Sequence, residues 1–222
     1  MFLRATFIVA LLLSIVIVCS SVNADSWAPP RKRNYYSADK KYCLEVIPKL
    51  LGDQIKYLQD KVNRGRDASA ADALKNNYAR AIFYVNENTG YRNTGANTGY
   101  TKKSEFPLVN DISPVEALVS ADGNYVVTFD NWHRVGIGDD VVVIYRSDGT
   151  LIKKFSLEDI FTTADIQGFL KTASSRWWGH GHYLDEKKNI VHLKPYVYGP
   201  LREFSIDLAS GQLLQPKSDP PR

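Results

Sequence analysis

Cysteine is nearly missing from this chain. Of its 222 residues only Cys19 and Cys43 carry a thiol, and Cys19 lies in an amino-terminal apolar run. If that run is removed, Cys43 is alone, no intrachain disulfide can form, and the fold must rest on its core. The setting Tyr42-Cys43-Leu44-Glu45-Val46 reads as a strand with the thiol packed as a small hydrophobe. Asn-x-Ser/Thr is absent, so nothing signals N-glycosylation. A charge excess is also missing: the formal net charge is only +4, and the basic pairs are scattered. That excludes a phosphate-binding track, and no nucleic-acid partner is expected.

Long hydrophobic runs are lacking too. The run Ala5 to Val18 is shorter than the roughly 20 residues of a spanning helix. With Arg4 before it and Val22-Asn23-Ala24 after it, residues 1–24 read as a signal peptide cleaved after Ala24. The chain is therefore expected to be exported, to the periplasm or beyond. Contact with a membrane is expected only through this segment if it stays uncleaved.

Catalytic signatures are equally scarce. There is no Gly-x-Ser-x-Gly elbow and no His-Glu-x-x-His helix. Gly136-Ile137-Gly138 leads into a strand, not a helix, so it lacks the N-terminus that would hold a phosphate.

What the chain has is strands bounded by Asp-Gly turns. Ser120 to Phe155 reads as strand, turn, strand, turn, strand: Tyr125–Phe129, then Val141–Tyr145, then, past Ser147-Asp148-Gly149, Leu151–Phe155. Ser37-Ala38-Asp39 with Tyr42 repeats the layout of Ser120-Ala121-Asp122 with Tyr125. Tyr78–Val85 matches the strand at 141–145. A third copy runs through Tyr183–Leu193, Arg202–Leu208 and Gln212–Leu214. A unit that cannot bury its own face gains stability by packing on copies of itself.

Other segments differ. Asp53–Val62 reads as a helix, with Ile55, Leu58 and Val62 on one face, Asp53 as its cap and Gly65 as its end. Ala68–Asn76 and Thr163–Thr172 read as short helices, and Ser156 as the cap of a helical turn. Residues 25–36, with Pro29 and Pro30, read as a flexible arm. The Asn-Thr-Gly run at 88–99 reads as a loop, and 215–222 as a frayed tail. The expected layout is one β-rich domain over residues 37–214.

The segments 120–131 and 141–152 resemble a blade of the YVTN-type, WD-like β-propeller repeats. There a Ser-Pro-Asp-Gly turn precedes one strand, and an Asp-x-x-x-Gly turn joins the next two. Here Ala121 replaces the proline, and the Trp-Asp dipeptide is absent. The whole chain also resembles small exported bacterial proteins without assigned function. The resemblance implies a mainly β fold: antiparallel sheets from diverged propeller-like repeats, with short helical insertions. A β-sandwich or an open α+β sheet is the alternative.

Two segments concentrate unusual side chains. Asp130-Asn131-Trp132-His133-Arg134 follows one predicted strand, and Ser174 to Tyr183 precedes another. Together they hold three of the four Trp and three of the four His. Asn131, Trp132, Arg176, Trp177 and Trp178 are candidate binding residues, because indole faces with polar edges bury much area at little entropy cost. They point to a non-enzymatic module that binds a protein or a glycan in the envelope or outside the cell, without a cofactor. Alternatively, His180 and His182 with His133 or Asp130 would form an open divalent-metal site serving a hydrolase. A bland reading competes with both: Trp177-Trp178 capping the core, and Asp130, Asn131, His133 and Arg176 forming a network that locks one repeat to the next. His192, inside a predicted strand, reads as structural.

Overall fold

The structure, a computed structural model, describes residues 27–65, 67–87, 99–196 and 204–214. Three four-stranded antiparallel sheets follow one another along the chain, each a meander in which sequence neighbours pair. Sheet 1 holds β1 (Arg33–Tyr36), β2 (Tyr42–Ile47), β3 (Arg80–Asn86) and β4 (Tyr100–Pro107). Sheet 2 holds β5 (Glu116–Val119), β6 (Tyr125–Phe129), β7 (Val142–Arg146) and β8 (Leu151–Phe155). Sheet 3 holds β11 (Tyr183–Asp185), β12 (Ile190–Leu193), β13 (Phe204–Asp207) and β14 (Leu213–Leu214). Helices α1 (Gly52–Asn63) and α2 (Ala68–Lys75) are inserted in sheet 1. Helices α3 (Leu157–Ile160) and α4 (Thr163–Gly168), then the two-strand ribbon β9 (Leu170–Lys171) and β10 (Arg176–Trp177), lie between sheets 2 and 3.

Period-two alternation explains the stacking. On β6, Val126 faces sheet 1, joining Leu44, Val46, Ala81, Phe83 and Phe106 in one buried cluster. Its neighbours Val127 and Phe129 face the other way, joining Val191, Leu193, Phe204 and Ile206 of sheet 3. Sheet 2 is thus apolar on both faces, which is why Val142-Val143-Ile144 shows no polar alternation. The fold is mainly β, with antiparallel sheets and few short helices, as expected. Three four-stranded sheets are present, so neither the two-layer sandwich nor the single open sheet describes it. No fourth four-stranded sheet occurs among the described residues.

The proposed repeat has an atomic signature. Ser37 accepts the N–H of Tyr42 on Oγ at 3.0 Å and donates to Asp39 at 2.6 Å. Ser120 does the same with Tyr125 at 3.0 Å and Asp122 at 2.6 Å. In both, the Ser backbone N–H also reaches the Tyr carbonyl, at 3.0 and 3.1 Å. One turn chemistry starts the second strand of both sheets. The turn of sheet 2 is also pressed against sheet 1: a Cβ at Gly149, whose φ is +93°, would stand 2.3 Å from Cβ of Phe106.

Four expectations need correction. The arm at 25–36 is not free over its described part: Arg33–Tyr36 pairs with Cys43–Val46 as β1, and Trp27 and Pro30 pack inward. Proline denies helix and ladder bonds only at its own positions, and the chain resumes pairing three residues later. Asp53 does not cap α1; it lies in the first turn beside Lys56, and Gln54 reaches back to the Leu51 N–H at 3.3 Å. The helix from Thr163 ends at Gly168, where Phe169 turns extended and buries its ring. The strands β4 and β5 were not anticipated, because Thr101-Lys102-Lys103-Ser104-Glu105 is polar and β5 is only four residues long. The signal segment 1–24, most of the loop at 88–99 and the tail at 215–222 lie outside the described residues. Among the described residues no helix is long and apolar enough to cross a membrane.

Candidate binding site at the long-connection end

A meander sends alternate connections to opposite ends. In sheet 2 the short turns at 120–124 and 147–150 share one end. The long connections into β5, from β6 to β7 and out of β8 share the other. All candidate site residues lie in these long connections. Two of them, 130–141 and 172–182, meet.

Asp130 makes the joint. Its backbone is left-handed, with φ at +57°, a conformation Asp tolerates better than most residues. This points the carboxylate inward, where Oδ1 accepts the Gly136 N–H at 2.7 Å. The indole N–H of Trp178 donates to Oδ1 and Oδ2 at 3.0 and 3.1 Å. Gly136 is required here: its φ is +66°, and a Cβ would lie 2.3 Å from the carbonyl oxygen of Arg176. That close approach lets the Arg176 N–H donate to the Val135 carbonyl at 2.7 Å. Fully buried Asn110 braces the loop from below. Its amide donates to the Asp130 carbonyl at 2.9 Å, and its oxygen accepts the Thr128 hydroxyl at 2.9 Å.

Burial pushes the Asp130 carboxyl up to about 7, despite the Gly136 and Trp178 donors, with Asp140 and Glu116 adding repulsion. Burial also raises Asp140, against the hydrogen bond it accepts from the Asn131 amide. Glu116, at the start of β5, is raised by burial and opposed by nearby His180. Sequence reasoning missed Glu116 and Asn110, which sit alone in ordinary polar surroundings.

The three histidines do not converge. His182 is sandwiched between Phe129 and Trp178, with ring centroids at 4.5 and 4.6 Å, and its Nδ1 accepts the Lys194 N–H at 3.1 Å. Burial pushes it down to about 3, so it is neutral. His180 stacks on Tyr196 at 4.7 Å, and His133 lies 5.7 Å from Trp27. Among the described residues no group of three or more His, Cys, Asp or Glu could hold a metal ion. The expected site of His133, His180 and His182 is therefore corrected: an x-Gly-x spacing puts two imidazoles near each other in sequence but sends one into the core. His192 is structural, bonded to Ser205 at 2.9 Å.

The indoles divide as well. Trp178 is 0% exposed and belongs to the core between sheets 2 and 3, so it is withdrawn from the binding set. Trp177, its neighbour, is partly buried and packs at the margin of the same cluster. Trp132 is largely covered, with Arg33 over its ring at 5.2 Å. Between Trp177 and Trp132 lies a residue outside the expected set, Trp27. It stacks parallel to Trp177 at 6.0 Å and meets Trp132 edge-on at 5.2 Å. A lone Trp just before Pro-Pro in a polar stretch was the available signal. In the same two loops, three buried side-chain atoms have no partner among the described residues: Asn131 Oδ1, Ser175 Oγ and Arg176 Nε. The Arg176 guanidinium otherwise reaches Glu158 at 3.7 Å.

No family model matches the chain. No curated protein matches it either. Among solved structures it is similar to the periplasmic gluconolactonase of Pseudomonas aeruginosa, with 12% identity and a TM-score of 0.42. The likeness covers 86% of this chain and 44% of that one, so the chain spans less than half the length of that structure.

Proposed function

We propose that this chain is an exported, non-enzymatic binding module that recognises a protein or a glycan at its long-connection end. Trp177 and Trp132 supply flat apolar faces, and Asn131, Ser175 and Arg176 supply polar groups at their edges. The observation that carries the reading is that clustering. The partnerless buried polar atoms among the described residues fall in the same two loops as Trp132 and the partly buried Trp177. Buried polar atoms are rarely left unpaired, so several together at a surface aromatic group favour a bound polar partner. Stacking of a sugar ring or an aromatic side chain on indole, with a few edge hydrogen bonds, suits this arrangement.

The test compares wild type with Trp177→Ala on a glycan array and against proteins of a cell-envelope extract. Capture of a defined ligand that weakens at least tenfold in Trp177→Ala supports the reading. Blank results on both, or capture indifferent to Trp177, contradict it.

A further inference from the structure

The arm that carries Trp27 occupies the indole group as a ligand would. Its ring lies parallel to Trp177, at an interplanar angle of 3°, and edge-on to Trp132. The next residue continues the pattern: the Ala28 carbonyl accepts the Trp132 indole N–H at 2.9 Å. One aromatic side chain and the following backbone carbonyl are thus read together, by a stacking face and a fixed donor.

Trp27 and buried Pro30 hold the arm by packing, and few hydrogen bonds hold it before Arg33. Pro29 and Pro30 contribute no N–H, and Lys32 pairs with Glu45 at 3.0 Å from a side chain 60% exposed, where solvent weakens the pair. Regular pairing starts only at Arg33.

We infer that the arm is a tethered occupant of a peptide site, and that the site accepts an extended, aromatic-bearing peptide from another chain once Trp27 is displaced. This rests on the proposed binding role and narrows it to peptide. The occupant is itself a chain segment, held by one aromatic ring and the next carbonyl, and this favours a peptide over a sugar. An intramolecular competitor lowers apparent affinity by the fraction of molecules in which the site is free.

The experiment uses the full chain and its Trp27→Ala variant. Three probes are titrated: a synthetic peptide of the sequence Asp25–Lys32, the same peptide with Ala for Trp, and a gluco-oligosaccharide. The Trp-bearing peptide is expected to bind Trp27→Ala at least tenfold more tightly than wild type. The Ala peptide should not bind, and Trp27→Ala/Trp177→Ala should lose binding. Equal binding to wild type and Trp27→Ala, no peptide binding to a folded Trp27→Ala, or binding of the oligosaccharide alone overturns the inference.

Hydrogen exchange on wild type decides the matter if Trp27→Ala does not fold. The Trp132 indole N–H, held by the Ala28 carbonyl at 2.9 Å, should exchange well before the amides of β6. Exchange only with β6 would make the arm a fixed part of the core and overturn the inference. If the peptide fails while a Trp177-dependent ligand is still captured, the arm idea falls and the binding role stands.

Discussion

The carboxylate of Asp130, at the end of β6, takes the indole N–H of Trp178 on both oxygens, at 3.0 and 3.1 Å. The same indole stacks on His182 at 4.6 Å on the way into sheet 3. Two buried ionisable groups therefore flank one tryptophan, and burial drives both toward neutrality.

Their pH effects oppose each other. Asp130 is raised from an ordinary value near ~3.9 to about 7. Its stabilising contribution is present below the ordinary value and is lost as pH rises through about 7. His182 is lowered from an ordinary value near ~6.5 to about 3. Its contribution is present above the ordinary value and is lost as pH falls through about 3. Between roughly pH 4 and 6.5 the two slopes, each about 1.4 kcal/mol per pH unit, cancel. Wild-type unfolding free energy, measured in urea, should be nearly flat there as far as this pair is concerned. Asp130→Asn should expose the His182 slope, with stability falling as pH drops. A variant slope equal to that of wild type would refute the assignment.

Trp177 and Trp178 should behave oppositely. Trp178→Ala empties a fully buried position and should cost about 3–5 kcal/mol. Trp177→Ala, at a partly buried position, should cost less, about 1–2 kcal/mol, and act mainly on ligand capture. Denaturation midpoints of both variants check this, and equal losses would contradict the division of the pair.

Gly136→Ala should open the joint between the loops. The added Cβ meets the Arg176 carbonyl oxygen at 2.3 Å on a backbone whose φ is +66°. A loss of about 2 kcal/mol or more is expected. The Arg176 amide should exchange faster, since it loses its 2.7 Å bond to the Val135 carbonyl. Unchanged exchange would show that the approach is not tight.

The shared turn can be tested by matched substitutions. Ser37→Ala and Ser120→Ala each remove a 3.0 Å bond to a Tyr N–H five residues on. Each should cost about 1 kcal/mol, and the two losses should be similar. A large loss at one site and none at the other would mean that the turns only look alike.

The strands Tyr125–Phe129 and Leu151–Phe155 were readable because Asp-Gly turns fix their ends and β-branched residues fill them. The first and third copies were readable from Ser, Asp, Asn and Gly at their turns and apolar runs between them. The polar edge strand β4 was not, since only Phe106 faces the core strongly. The convergence of the loops around Asp130 and Trp177 was anticipated as a group, but the role of each residue was not. Whether Trp178 or Trp177 turns inward depends on the register of β10 against β9, which no local pattern reveals. His182 looked like a ligand because a histidine between two aromatic rings carries no sequence mark of that setting. Trp27 was hidden by its proline-rich neighbours.

The two loops form one structural unit through Asp130 and Trp178, and a double-mutant cycle between Asp130→Ala and Trp178→Phe measures that directly. Trp178→Phe keeps a ring in the core and removes the indole donor. The predicted coupling is about 1–2 kcal/mol of unfolding free energy, well outside additivity. A coupling of zero would mean that the carboxylate and the indole do not meet, and that the loops form no common surface.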